Sequence, residues 1–130
     1  MYSSTTDQVT VSVETTYLTH ESSPSEGHYV WAYKVRIENN GTDELQLKSR
    51  YWKITDAYGR VQEVQGAGVV GEQPVLKPGA SYEYTSGTPL ATPHGIMSGS
   101  YAMQMTDGTM RNVAIPAFSL HTPEAARRTN

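Results

Sequence analysis

Apolar and polar residues alternate with a period of two along most of the chain, which is typical of β-strands with one buried face. The clearest case runs from Tyr29 to Ile37, where aromatic and aliphatic residues point one way and charged residues the other. The same alternation occurs from Val9 to Tyr17 and from Leu45 to Tyr51. Shorter alternating stretches lie around 61–64, 82–84, 101–105 and 111–117. The pattern predicts an all-β chain of 7–8 short strands.

Turn signals separate these stretches at regular intervals, at Asn39–Thr42, Asp56–Gly59 and Asp107–Gly108. Short strands in this rhythm are typical of two packed antiparallel sheets, as in immunoglobulin-like sandwiches. A chain of 130 residues has room for one such domain. We therefore expect a single β-sandwich over residues 1–130, with its core at about 8–120 and flexible termini at 1–7 and 121–130.

The turn before the strand of Tyr82 has the pattern L-x-P-G-x-x-Y, formed by Leu76, Pro78, Gly79 and Tyr82. This pattern resembles the tyrosine corner of fibronectin type III domains, in which the hydroxyl bonds back to the backbone upstream. On that interpretation Tyr82 fixes the crossing from one sheet to the other. The alternative is an ordinary turn followed by a core tyrosine.

Composition narrows the classes of function. The chain has no cysteine, which excludes disulfides, thiolate nucleophiles and Cys-ligated metals. Charged residues are 18% and the net charge is −3, so no basic field would attract nucleic acid or an anionic membrane. The four histidines, His20, His28, His94 and His121, do not have the spacing of a metal site. We expect no cofactor, no resident metal and no enzymatic activity.

The amino-terminal residues have neither the basic start nor the apolar run of a secretory signal. No window of the sequence has the roughly 18 apolar residues that a membrane-spanning helix needs. A cytoplasmic location is therefore expected.

A glycine-rich segment reads G-x-G-x-x-G at Gly66, Gly68 and Gly71. A dinucleotide site would need a helix directly afterwards, and Pro74 and Gly79 leave no room for one. Two interpretations remain open. The segment could form an anion-binding nest of backbone amides, or an irregular connection whose glycines adopt positive φ.

A second candidate surface is the segment Ser86 to Ser100, which contains Leu90, Ile96 and Met97. A long ordered loop on a rigid sandwich is a common place for binding, and exposed apolar residues there would contact a partner. Alternatively, the segment folds back over one end of the core. Together with Gly66–Gln73, it forms the predicted partner surface.

A third candidate is basic. If the strands around Tyr33 and Leu47 pair, Lys34 and Lys48 lie opposite each other, flanked by Arg36 and Arg50, and this strip favours an anionic partner. If the two strands lie in different sheets, the strip does not form.

The stretch from Ser49 to Met103, including GAGVVG, LKPGASY and GTPLATPHGIMSGSY, resembles the bacterial ApaG family. The stretch YVWAYKVRIENNG at Tyr29 to Gly41 fits as well, and the resemblance extends from Val9 to Phe118. It implies a fibronectin type III-like sandwich and brings no catalytic residues. The same domain in eukaryotic F-box proteins and a polymerase-delta-interacting protein is regarded as a protein-interaction module. The family name reflects linkage to a diadenosine tetraphosphate hydrolase, and an older association concerns cobalt resistance and magnesium efflux.

Two hypotheses follow. In the first, the chain is a non-enzymatic module that binds a protein partner through the two loops, which predicts exposed Leu90 and Met97. In the second, it is a small-ligand sensor for nucleotide polyphosphate or a divalent cation, held by the amides of the glycine-rich loop.

Overall fold

Nine strands build residues 1–123, the part of the chain that the structure, a computed structural model, describes. Two short 3₁₀ turns, Thr19–Glu21 and Pro24–Glu26, join the second strand to the third. No helix in this part of the chain is long and apolar enough to cross a membrane. The strands are β1 (Tyr2–Thr6), β2 (Val9–Tyr17), β3 (Tyr29–Asn39), β4 (Leu45–Asp56), β5 (Val61–Ala67), β6 (Val75–Leu76), β7 (Ser81–Leu90), β8 (His94–Met105) and β9 (Met110–His121).

The strands form two antiparallel sheets, which confirms the predicted all-β sandwich. The first sheet has the order β1-β2-β3-β7, and the second has the order β5-β4-β8-β9. The short strand β6 pairs with Leu45 and Gln46 of β4, beyond the stretch of β4 that pairs with β5. The β5–β6 connection, which contains most of the glycine-rich segment, therefore follows the edge of the second sheet.

The core lies between the sheets and is built by the inward residues of the alternating pattern. Trp31, Tyr101 and Phe118 are almost completely buried. Trp52 packs edge-on against Tyr33 and Phe118, with ring centroids 5.2 and 5.9 Å apart. Burial of one such large apolar side chain stabilises a fold by about 1.5–3 kcal/mol. Aromatic packing thus holds together a sandwich that has no disulfide.

The amino-terminal residues that we expected to be flexible are instead strand β1. Tyr2 to Thr6 pair with β2, and the Tyr2 hydroxyl is 2.8 Å from the Ser119 hydroxyl. The Tyr2 ring packs against Phe118 with a centroid distance of 6.0 Å. β1 therefore lies beside β9 and covers that side of the sandwich. At the other end His121 closes β9, and residues 124–130 of the expected flexible terminus lie outside the described residues.

The turn before β7 forms, but its hydrogen bonds differ from those of the predicted corner. Gly79, with φ +84°, donates its N–H to the carbonyl of Asn39 at 2.7 Å. The Tyr82 hydroxyl donates to the Glu72 carboxylate at 2.9 Å, not to the backbone. The buried Asn39 amide instead donates to the carbonyls of Asp43 and Leu76, at 2.7 and 3.0 Å. The predicted bond of Tyr82 is therefore wrong, and Asn39 ties this corner together.

Candidate functional site

The glycine-rich segment forms a tight reversal at the edge of the second sheet. Val69 and Glu72 exchange two backbone hydrogen bonds of 2.8 and 2.9 Å, and both residues between them, Val70 and Gly71, have positive φ. Gly68 also has positive φ, and a Cβ there would lie 2.1 Å from the Glu72 carbonyl oxygen. Only glycine fits that position. The geometry is thus that of an irregular connection with positive-φ glycines.

Arg50 fastens the start of this reversal. Its Nη1 donates to the carbonyls of Ala67 and Gly68, at 3.0 and 2.9 Å. Gly66 lies directly under the guanidinium, because a Cβ at this position would be 2.9 Å from Arg50 Nη2. A side chain at Gly66 would push the arginine away from the two carbonyls. Gly66 is therefore needed for the approach of Arg50.

Few amides of this segment are free to form an anion nest. The N–H of Gly68 donates to the carbonyl of Lys48 at 2.9 Å, and those of Val69 and Glu72 donate to each other's carbonyls. The Gln73 side-chain amide also donates to Lys48, at 2.8 Å. Since these donors are engaged, a ligand would meet fewer N–H groups than the G-x-G-x-x-G pattern suggests.

The segment from Ser86 to Ser100 is a hairpin, not a long loop. It contains the end of β7, a short turn and the start of β8, and Thr92 closes the turn by donating to the His94 carbonyl at 2.8 Å. Leu90 and Met97 are only 8% and 1% exposed, so the predicted exposure of these two side chains is wrong. Ile96, which points to the opposite side of the sheet, is 55% exposed.

The basic strip does not form, because β3 and β4 lie in different sheets. Lys34 and Arg36 are instead on the outer face of the first sheet, where β7 provides Glu83. The Glu83 carboxylate lies 3.1 Å from Lys34 Nζ and 3.0 Å from Arg36 Nη1, and Arg36 Nε lies 2.7 Å from Glu38. Hydrogen bonding to Lys34, and then its charge, lower the pKa of Glu83 below its ordinary value of 4.5. This face is a solvated network of ion pairs.

The outer face of the second sheet has the opposite character. We call it the low-charge face: the outward residues of β4, β5, β6, β8 and β9. Along its paired stretches, two outward positions are charged, Lys53 and Glu63, and these face each other in register. Lys48 lies in the β-bulge between Leu47 and Ser49. Four large apolar side chains on this face are more than half exposed: Val61, Val75, Ile96 and Met110.

The register places these apolar residues at the two ends of the low-charge face. Thr55 of β4 pairs with both Val61 and Ile96, which gives one apolar end. At the other end, Gln46 pairs with Val75 on one side and with Gln104 on the other, and Gln104 pairs with Met110. Eight or nine residues along β4 separate the ends, which is about 27 Å of extended chain.

Between the two ends lies a shallow depression of about 240 Å³. Its lining combines small residues with the larger side chains of Tyr51, Gln65 and Asn112. The Tyr51 hydroxyl donates to the Glu63 carboxylate at 2.8 Å, and this hydrogen bond raises the pKa of Tyr51. The lining residues are Ser49, Arg50, Tyr51, Gln65, Gly66, Ser100, Ala102 and Asn112.

The structure therefore separates the residues that the sequence grouped together. Of the predicted partner surface, Gly66 lines the depression and Ile96 lies on the low-charge face, whereas Leu90 and Met97 belong to the core. Gly68, Gly71 and Gln73 stay in the β5–β6 connection. Sequence reasoning missed the central polar residues of the face, because they come from several strands and meet only through strand pairing.

Fold and face together define a two-sheet antiparallel sandwich with one ion-paired surface and one low-charge surface. The ApaG domain profile matches residues 19–105. Protein ApaG from Paramagnetospirillum magneticum is 59% identical, and Protein ApaG from Rhodospirillum centenum is 56% identical, each over the full length of both chains. A crystal structure of a Bordetella pertussis protein described as ApaA has a TM-score of 0.86 and 50% identity, covering 88% of this chain and 94% of its own. The chain belongs to the ApaG family.

Proposed function

We propose that the chain is a non-enzymatic binding module that docks a protein partner on the low-charge face. The observation that carries this proposal is the distribution of exposed apolar side chains. Val61, Val75, Ile96 and Met110, each more than half exposed, lie on one face of one sheet. Single exposed apolar residues are ordinary, but a set that one sheet aligns on a single face indicates a contact surface.

The charge distribution supports the same face. The centres of protein–protein interfaces are depleted in charged residues, because each buried charge must be paired or desolvated at a cost. The outward residues at the centre of the low-charge face, Tyr51, Gln65 and Ser100, are uncharged. Arg50, which also lines the depression, donates from its guanidinium to the carbonyls of Ala67 and Gly68. The first sheet presents Lys34, Arg36 and Glu83 at comparable positions, and these would resist burial.

The proposed partner is a folded protein with an uncharged surface of apolar and polar residues. Its apolar contacts would meet the two ends of the low-charge face, and a projecting side chain would enter the depression between them. The depression, at about 240 Å³, suits one large side chain. Because its walls belong to four paired strands, this receptor is rigid and costs little ordering entropy on binding.

The test compares two tagged variants purified from the native host. Ser100→Arg puts a long cation into the depression. Thr16→Arg puts the same side chain on an exposed position of β2, in the other sheet. We expect a protein that co-purifies stoichiometrically with the wild type and with Thr16→Arg, and that is lost with Ser100→Arg.

Thermal unfolding of both variants provides the control for folding, and both should unfold close to the wild-type temperature. A partner that stays bound to Ser100→Arg with unchanged affinity would contradict docking on this face. Equal loss of the partner from both variants would contradict it too, because it would indicate a general charge effect.

A further inference from the structure

We propose that His94 and His121 form a two-imidazole binding site for a divalent transition-metal ion such as Cu²⁺, Ni²⁺ or Zn²⁺. They are 27 residues apart in the sequence but are direct partners in the register of β8 and β9. Both side chains are exposed, and both lie at outward positions of the second sheet. This inference stands independently of the proposed protein partner.

The backbone hydrogen bonds show which kind of cross-strand pair this is. The N–H of Thr122 donates to the carbonyl of Pro93 at 3.1 Å, so the bond joins the residues that flank the histidine pair. In an antiparallel ladder, this places His94 and His121 in a non-hydrogen-bonded pair. The Cα atoms of such a pair are about 4.5 Å apart, and their side chains lie closer than in the hydrogen-bonded kind. Two imidazoles in this arrangement can reach one ion.

The backbone of both histidines is held in place. The carbonyl of His94 accepts a hydrogen bond from the Thr92 hydroxyl at 2.8 Å. The carbonyl of His121 accepts one from Nε1 of the buried Trp31 at 3.0 Å. A ligand pair on such a fixed backbone loses little freedom when an ion binds.

The imidazoles themselves are available. Within residues 1–123, neither His94 nor His121 uses its ring in a hydrogen bond or an ion pair. Asp56 of the neighbouring strand β4 pairs with Gly95. Its carboxylate already accepts hydrogen bonds from the backbone amides of Tyr58 and Arg60 and from the Arg60 guanidinium. The ring nitrogens of His94 and His121 are therefore available as metal ligands at this end of the sheet.

The two imidazole ligands determine which metal ions the site can bind. Imidazole suits Cu²⁺, Ni²⁺ and Zn²⁺, whereas Mg²⁺ and Ca²⁺ prefer oxygen ligands. Within residues 1–123, no group of three or more His, Asp or Glu residues gathers around one point. The site thus offers two protein ligands, and water fills the remaining positions. An ion bound there would join β8 to β9 at the Ile96 end of the low-charge face.

The experiment titrates the full chain with Cu²⁺ or Zn²⁺ at neutral pH and measures affinity by calorimetry. His94→Ala and His121→Ala should each lower the affinity for Cu²⁺ at least about tenfold. His20→Ala and His28→Ala change exposed histidines outside the pair and serve as matched controls with unchanged affinity. Paramagnetic broadening by Cu²⁺ in NMR spectra should appear first at residues around 93–96 and 119–122.

Thermal unfolding gives a second readout that does not depend on calorimetry. Zn²⁺ should raise the unfolding temperature of the wild type and not that of the double variant His94→Ala/His121→Ala, since an ion that binds only the folded state stabilises it. Cu²⁺ affinity retained by the double variant would overturn the proposal, because the ion would then be held elsewhere. Equal loss of affinity in His20→Ala would overturn it as well.

Discussion

Two glycines of the β5–β6 connection share positive φ but differ in what surrounds them. A Cβ at Gly71 would meet no atom within 4 Å. Gly71→Ala should therefore lower the free energy of unfolding by about 1–2 kcal/mol, because of the left-handed backbone alone. Gly68→Ala adds a collision with the Glu72 carbonyl and should cost about 3 kcal/mol or more. Urea denaturation of the two variants measures the difference. Equal costs would show that φ alone, and not close packing, demands glycine at Gly68.

The buried hydroxyls of Tyr84 and Tyr101 bond to each other between the sheets. Burial raises the pKa of both phenols, so both stay protonated. Tyr84→Phe should lower the free energy of unfolding by about 1–3 kcal/mol, because it leaves the buried Tyr101 hydroxyl without its hydrogen-bond partner. The double change to phenylalanine should cost less than the sum of the single changes, as a double-mutant cycle measures. Strict additivity would mean that the bond contributes nothing.

Residue-scale chemistry also explains why the turn before β7 forms as predicted while the predicted hydrogen bond of Tyr82 is wrong. The pattern L-x-P-G-x-x-Y locates the turn, since Pro78 and Gly79 favour one. It cannot show which side chain fastens the turn. Asn39 does so from 40 residues upstream of Gly79, and an asparagine at the end of a strand looks like an ordinary turn residue in the sequence.

At the scale of the element, the ion pairs between β3 and β7 predict acid sensitivity. The pKa of Glu83 is lowered by Lys34 and Arg36, so its carboxylate stabilises the fold above pH 4.5, the ordinary value for this group. That stabilisation is lost as the pH falls through the lower, folded-state pKa of Glu83. The difference in the free energy of unfolding between the wild type and Glu83→Gln should therefore decrease as the pH is lowered from 7 to 3. Urea denaturation across this range measures it, and a constant gap would contradict the assignment.

Strands with strict alternation were predictable, whereas the β7–β8 hairpin was not. The stretch Tyr29–Ile37 carries one large residue at every inward position, which makes β3 evident in the sequence. Between Ser86 and Ser100, glycine and proline interrupt this signal and mimic a loop. Pro89 is tolerated because β7 is an edge strand with a single partner, β3. Edge position is a property of the sheet and cannot be read from one segment.

At the scale of the whole molecule, the low-charge face depends on which strands are neighbours. The sandwich itself could be predicted, because the count and rhythm of the strands require two sheets. The face could not, since Ser100 of β8 is far along the chain from the β4–β5 hairpin that carries Tyr51 and Gln65, and joins it only through strand pairing. The same reason explains the histidines: spacing along the sequence makes His94 and His121 look unrelated, and the register makes them partners.

The two outer faces also predict different responses to mutation. Substitutions on the ion-paired face of the first sheet should alter acid stability and leave partner binding unchanged. Substitutions at the exposed lining residues Gln65 and Asn112 should alter binding and leave the free energy of unfolding within about 0.5 kcal/mol, the range of ordinary surface changes. A set of variants that fails to separate in this way would contradict the division of roles between the sheets.

The most direct test of the proposed docking surface is site-specific photo-crosslinking in living cells of the native host. A photoreactive amino acid is placed at Ser100 or Ala114 on the low-charge face, and at Thr16 on the first sheet. We expect the first two positions to crosslink to the same protein, and Thr16 to give no such product. Crosslinks to that protein from Thr16 alone would show that the partner binds the other sheet and would contradict the account.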